Sequence, residues 1–347
     1  PGLRPRGGPG PGPGKAMNPL AEADPLARAL RRLVGTEAGF QPPAGEVRVE
    51  SLPASRQVLR FTFPAGDYAV VGKFFSAYPP QASADLSLAR EYDHYLRLPA
   101  LGLGNGDGLV PRLLGRWPER SLGLLLEAVP GPDLDHLLLR ASVHGDPAPL
   151  FRALDKLAHL LAFFHSRPVP ALPVAPKPAL AYLDKVMAQL LEAKLLVRQD
   201  CQALAHERDA WEARFQDFSD RQVLIHGDAT PTNFLFPNGR AVALDLERLR
   251  VGDRLWDLSW VAGELKHAWG WRTADFSGSE AAIRHFFRMY LTAAGLDPAL
   301  TRRLFSLNPF YMALAELRIA RNLYLTRDYR RQLVAEARRC LAHGRRI

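Results

Sequence analysis

The chain moves between two hydrophobic periods. In residues 25–34, PLARALRRLV, Leu26, Leu30 and Leu33 recur at the spacing of one helix face. Three strand-like runs follow at 46–52, 58–63 and 68–75, and the last two are joined by the turn residues Pro64-Ala65-Gly66-Asp67. Residues 82–98 return to helical spacing, with Leu86, Tyr92, Tyr95 and Leu96 apolar. Beyond a glycine-rich loop at 101–108, two more runs at 109–116 and 122–128 read as strands. From Asp133, a helix-capping residue type, helical spacing dominates. The pattern predicts helices over 150–164, 180–197, 203–218, 281–294, 298–327 and 330–342. Trp256 and Trp260 take helical core spacing, whereas Trp269 and Trp271 lie in AWGWRT, which reads as a turn.

One stretch breaks this rhythm. In HGDATPTNFLFPNGRAVALDLE, residues 226–247, two short apolar runs flank Pro237-Asn238-Gly239-Arg240, the signature of a β-hairpin. Such a hairpin gathers Asp228, Asn233 and Asp245 around one spot. Two carboxylates and an amide are hard oxygen donors, suited to Mg²⁺ held jointly with phosphate oxygens.

Composition narrows the class. The chain has 347 residues, 47% hydrophobic and 23% charged, as expected of a water-soluble protein of one large or two modest domains. It contains no apolar run of membrane-spanning length and no apolar leader near its beginning. Residues 1–16, PGLRPRGGPGPGPGKA, are expected to form a disordered tail, with Met17 as the expected start. Cys201 and Cys340 have no metal-binding spacing and read as reduced thiols, so a cytoplasmic location is expected. The net charge of +9 sits at the ends. Residues 301–347 hold eleven Arg against Glu316, Asp328 and Glu336, a net +8, and the first fifteen residues add +3, leaving −2 for the rest. That distribution argues against an obligatory nucleic-acid groove through the core.

The run HGD-x4-N, a hydrophobic strand and D-x-E resembles the aminoglycoside phosphotransferase and choline kinase superfamily. The resemblance implies an α+β, two-lobed protein-kinase-like fold. Its N-lobe, residues 36–130, would be a small five-stranded antiparallel sheet with one helix, preceded by an N-terminal helix within 17–35. Its C-lobe, 131–347, would be mostly helical and carry the catalytic segment. HRD and DFG are absent, which sets the chain apart from protein Ser/Thr kinases.

The resemblance also implies roles. Asp228 would accept the proton of an acceptor hydroxyl, and Asn233 and Asp245 would bind Mg²⁺ at the phosphates of ATP. Lys73, an ammonium within the apolar strand AVVGKFF, would grip those phosphates and be held by Glu91, whose helix also offers Asp85 and Asp93. Ser55, in the glycine-free turn Pro53-Ala54-Ser55-Arg56, is the candidate phosphate-covering residue. The backbone at Glu127, Ala128 and Val129 would face adenine. His226 would hold the loop, Glu247 assist metal or loop geometry, and Asp257, in the run GDRLWDL, bond the loop backbone. Asp253 would cap the helix that opens there, and His165, at the end of LLAFFH, is expected to be a packed or capping histidine.

The acceptor is expected to be a small molecule with a hydroxyl: a sugar, a metabolite or a lipid-linked glycan. The basic C-terminal end disfavours a polycation by like charge, which sets an aminoglycoside-type antibiotic kinase as the alternative. A nucleotide-binding scaffold without turnover is the non-enzymatic alternative. Arg318, Arg321, Arg327, Arg330 and Arg331 are expected to form a solvated basic face, open to an anionic substrate or membrane surface.

Overall fold

The structure is a computed structural model, and it describes residues 15–38, 41–54, 57–64, 68–74, 81–104, 108–117 and 123–345. The chain divides into two compact units. One contains the described residues up to Pro132 together with Leu235–Arg248; the other contains Asp133–Phe234 and the chain from Leu249 onward.

The first unit is built on an antiparallel sheet. Its elements are β1 (Lys15–Ala16), α1 (Pro25–Ala38), β2 (Arg48–Leu52), β3 (Gln57–Thr62), β4 (Ala69–Phe74), α2 (Gln81–Arg97), β5 (Leu113–Trp117) and β6 (Gly123–Glu127), and the strand order is β1-β2-β3-β4-β6-β5. Alternation gives the sheet two apolar faces. Val49, Leu59, Phe61, Val70, Phe74 and Leu125 pack with Ala27, Leu30 and Val34 of α1. On the opposite face Leu124 packs with Leu88 and Tyr92 of α2. Lys73 pairs directly with Leu124 across β4 and β6, so the lysine belongs to the α2 face.

Two expectations are corrected in this unit. The sheet has six described strands where five were expected. Lys15 and Ala16, placed in the disordered tail by composition, pair with Ser51 and Glu50, and the Met17 N–H donates to the Val49 carbonyl at 3.0 Å. The exposed edge of β2 offers unpaired backbone groups that an extended segment satisfies whatever its side chains. Residues 1–14 of that tail lie outside the described residues. The strand expected at 109–116 begins only at Leu113, because Pro111 has no N–H to give a ladder.

The second unit is mostly helical: α3 (Leu134–Val143), α4 (Ala148–His165), α5 (Lys177–Glu192) and α6 (Arg198–Phe215) precede the central segment. Asp133 caps α3 by accepting the His136 N–H at 2.7 Å. The central segment runs through β7 (Val223–Ile225), the hairpin strands β8 (Phe234–Leu235) and β9 (Val242–Ala243), which from Leu235 belong to the sheet unit, and β10 (Arg250–Gly252), which pairs antiparallel with β7. Asn238 and Gly239 hold φ of 47° and 74° at the hairpin turn, the left-handed conformation that an Asn-Gly pair supplies at least cost.

The helices α7 (Leu255–Thr273), α8 (Glu280–Ala294), α9 (Pro298–Ile319) and α10 (Arg327–Gly344) complete the unit. At Gly263 a Cβ would lie 2.6 Å from the Cβ of Ala315, so α7 and α9 approach as closely as a missing side chain allows. Trp269 and Trp271 are not in a turn: α7 continues to Thr273, and Trp271 packs edge-on to Tyr329 at 4.7 Å. The helix expected over 298–327 stops at Ile319, since Thr326 caps a separate α10 by accepting the Tyr329 N–H. Among the described residues no helix is long and apolar enough to cross a membrane.

Candidate active site

In the sheet unit, β4 delivers Lys73 and α2 delivers Glu91 to one point. The Lys73 Nζ donates to Glu91 Oε2 and to Asp245 Oδ1, each at 2.7 Å, with Glu247 Oε2 at 4.0 Å. Asp245 holds φ 54°, a left-handed conformation uncommon outside glycine, and a short 3-10 turn, Leu246–Arg248, follows it. One face of α2 secures that turn twice. Glu91 reaches it through Lys73, and His94, one helical turn later, places Nδ1 2.7 Å from the Leu246 carbonyl oxygen.

Burial alone would lower the Lys73 ammonium, but Glu91 and Asp245 more than offset this and raise it, so the lysine stays charged. Burial pushes the Glu91 carboxyl up to about 7 against the pull of Lys73. Glu91, Asp245 and Glu247 each offer a carboxylate oxygen, all within 4.8 Å of one another. Oxygen donors in such a cluster fit a hard divalent cation such as Mg²⁺.

In the helical unit, the loop after β7 presents Asp228. The Asn233 side-chain amide donates to the Asp228 carbonyl oxygen at 2.9 Å and ties the loop's two ends. His226 is fully buried, and its Nδ1 accepts the Asp228 N–H at 3.3 Å. Beneath the loop lies Asp257, on the first turn of α7. Its carboxylate accepts the His226 N–H at 2.7 Å and the Gly227 N–H at 2.8 Å. Burial would raise this carboxyl, yet the bond to His165, the nearby His226 and the backbone donors hold it below the usual range. His165 is packed as expected: Nε2 lies 3.2 Å from Asp257 and Nδ1 2.8 Å from the Tyr290 hydroxyl, and burial lowers its basicity.

A buried ionic network continues from there. The Arg254 Nη1 lies 3.4 Å from the Tyr290 hydroxyl, and its Nε donates to Asp220 at 2.8 Å. Arg303 donates to Asp220 at 3.2 Å and to Asp253 at 3.1 and 2.5 Å, and the Tyr311 hydroxyl donates to Asp253 at 2.8 Å. Asp253 also caps α7 as expected, accepting the Leu255 N–H at 3.0 Å.

The pairing of Glu264 on α7 with Arg318 on α9 is not foreseen from the sequence. The Arg318 Nη2 donates to Glu264 Oε1 at 2.6 Å, and its Nη1 lies 3.9 Å from Asp228 Oδ1. The only signal in the chain is that Glu264 follows Asp257 by seven residues, two helical turns on the same face. The solvated basic face expected of the C-terminal arginines is corrected. Arg318 is committed to Glu264, Arg321 bonds Gln189 at 2.5 Å, and Arg330 is buried, donating to the Ala320 carbonyl at 2.6 Å. Only Arg327 and Arg331 of the five are exposed. A carboxylate inside α7, a side-chain amide on α5 and a carbonyl at the end of α9 take the other three.

Ser55 lies outside the described residues. At Glu127 and Ala128 the N–H groups already bond the Arg112 and Ala69 carbonyls at 2.9 and 3.1 Å, which leaves the carbonyls and Val129 for any contact with a base. Lys73, Glu91, Asp245 and Glu247 belong to the sheet unit; Asp228, Asn233, His226 and Asp257 belong to the helical unit.

This architecture is a protein-kinase-like fold, and comparisons with solved structures agree. The ADP-bound aminoglycoside phosphotransferase APH(2'')-Ib is similar over 91% of this chain and 96% of its own, at 16% identity and a TM-score of 0.53. A choline/ethanolamine kinase family protein from Mesorhizobium loti matches over 93% and 99%, at 16% identity and a TM-score of 0.54. A choline kinase from Cryptosporidium parvum Iowa II matches over 86% and 88%, at 10% identity and a TM-score of 0.53. At such identities the likeness concerns the fold. A search of curated proteins finds no match. The model of the phosphotransferase enzyme family matches residues 46–304, and the chain belongs to that family.

Proposed function

We propose that the protein transfers the γ-phosphoryl group of ATP to a hydroxyl of a small molecule. The observation that carries this reading is Lys73 bonded at 2.7 Å to both Glu91 and Asp245, a buried ammonium fixed between two acids. A lysine so held presents a positive charge at a fixed point without swinging to find it, which is what a triphosphate needs. Family membership and the ADP held by a similar structure support the nucleotide.

In this reading Asp228 sits at the acceptor hydroxyl and takes its proton as the phosphoryl group departs. Phosphoryl transfer proceeds through a loose transition state, so the proton acceptor is asked mainly to be in place. Asn233, by bonding the Asp228 carbonyl, keeps the loop in the shape that presents the carboxylate. His226 acts as a fastener and not as the base, since its Nδ1 accepts a backbone N–H. Asp245 would hold Mg²⁺, with Glu247 on the turn that follows it, and the resemblance implies Asn233 as a further ligand. Bound there, the cation would neutralise phosphate charge and orient the oxygens.

The test is a screen with ATP and Mg²⁺ against pools of hydroxyl-bearing small molecules, read as a mass gain of one phosphate. Transfer by the wild type is expected to vanish in Asp228→Asn while nucleotide binding persists. Equal turnover in the two proteins would remove Asp228 from its role. Nucleotide binding without transfer to any acceptor would favour a scaffold.

A further inference from the structure

The acids around Asp228 are not available to a cation. Glu264 on α7 is bonded by Arg318 at 2.6 Å, and Asp135 on α3 is bonded by Arg272 of α7 at 2.7 Å. The two pairs belong to one electrostatic neighbourhood. Burial raises the Glu264 carboxyl, Arg318 opposes this, and Asp228 and Asp135 both add to it. Arg318 is itself pinned: its guanidinium lies 5.4 Å from the ring centre of buried Trp260, and Nη1 reaches to 3.9 Å from Asp228. Three carboxylates and two guanidiniums leave a single net negative charge.

That balance selects by chemistry. A polyamine-bearing acceptor needs carboxylates without partners, and here Glu264 and Asp135 are each engaged. A phosphorylated acceptor needs a guanidinium without a partner, and both are engaged too. A guanidinium–carboxylate pair keeps spare N–H groups and lone pairs on its rim, and these suit neighbouring hydroxyls, each of which both donates and accepts. We propose, building on the phosphotransferase reading, that the acceptor presents an uncharged, hydroxyl-rich face to Asp228, and that Arg318 enforces this by cancelling Glu264.

The experiment compares kcat/KM with ATP and Mg²⁺ across neutral saccharides and alditols, their phosphate esters, and kanamycin as the polycation. Wild type is expected to favour neutral members. Arg318→Gln should move the kanamycin-to-neutral ratio at least about tenfold toward kanamycin, the size of one charge change at a partly screened site. Glu264→Gln, which releases the guanidinium, should move selectivity about tenfold the other way, toward phosphate esters. The double variant Glu264→Gln with Arg318→Gln should return to the wild-type ratio within about threefold. The opposite shifts keep the test decisive if one single variant does not fold. Wild-type preference for kanamycin or a phosphate ester, or ratios unmoved in folded variants, would overturn the inference while leaving phosphotransfer intact. Absence of transfer to any acceptor would instead overturn the phosphotransferase reading, and this inference with it.

Discussion

The Gly227 N–H donates to the Asp257 carboxylate at 2.8 Å, joining residues thirty positions apart. The neighbouring His226 N–H uses the same carboxylate, so one anionic side chain orients two successive peptide groups immediately before Asp228. An amide in its place must turn its NH₂ toward one of those donors. Asp257→Asn is therefore expected to lower turnover about 10- to 100-fold through the loss of a charge-assisted bond, and to lower thermal stability as well. Steady-state kinetics beside a melting curve checks it. Unchanged turnover would mean the loop holds its shape unaided.

Among the described residues Lys73 supplies the cation bonded to Glu91, which is fully buried. Lys73→Met is expected to cost about 2–5 kcal/mol of nucleotide affinity, the usual penalty for removing one member of a buried charged pair. Lys73→Arg should not restore it, because a planar fork cannot stand where a single ammonium bonds two carboxylates from inside a strand. Titration with a fluorescent nucleotide reads both variants, and near-native binding by Lys73→Met would remove the lysine from the site.

How far the sequence could be read follows from which forces are local. The alternation around Lys73 and the Asn-Gly turn at 238–239 are set by neighbouring residues, so sheet, hairpin and acids were visible in order. Trp269 and Trp271 were misplaced because Gly270 between two tryptophans looks like a turn, and only the packing of Phe276 against Gly270 shows why a helix prefers glycine there. The partners of Glu264, Arg318 and Arg330 are hidden for a different reason. A charge on a helix reads as solvated until its partner is known, and Arg318 follows Glu264 by 54 positions.

The Arg303 network ought to be structural. The arginine is buried, bonds both Asp253 and Asp220, and stands between the α7 cap and the loop before β7. Replacing it by methionine fills similar volume but takes a charged partner from two carboxylates of very low exposure, leaving Asp220 to Arg254 and Asp253 to the Tyr311 hydroxyl. Arg303→Met is expected to lose about 3–5 kcal/mol in urea unfolding. A loss below about 1 kcal/mol would show that Arg254 alone satisfies Asp220.

Acid should act on the fold through His267. Burial, with Arg272 and Arg318 adding, lowers His267 from 6.5 to about 3. Its Nδ1 lies 3.0 Å from the Tyr329 hydroxyl. In the unfolded chain this ring binds a proton below 6.5, and in the folded chain it does not, so the unfolded state holds more protons there. Stability from this group is complete above 6.5 and falls as the pH drops toward 3. Glu264 and Glu316 act in the opposite sense, since burial holds their carboxyls up and favours the folded form in acid. The informative quantity is therefore a difference. Between pH 7.5 and 5.5 the wild type should lose about 1.4 kcal/mol more than His267→Gln, the linkage of one proton over the unit below 6.5. Parallel stability curves for the two proteins over that range would mean that His267 titrates alike in both states.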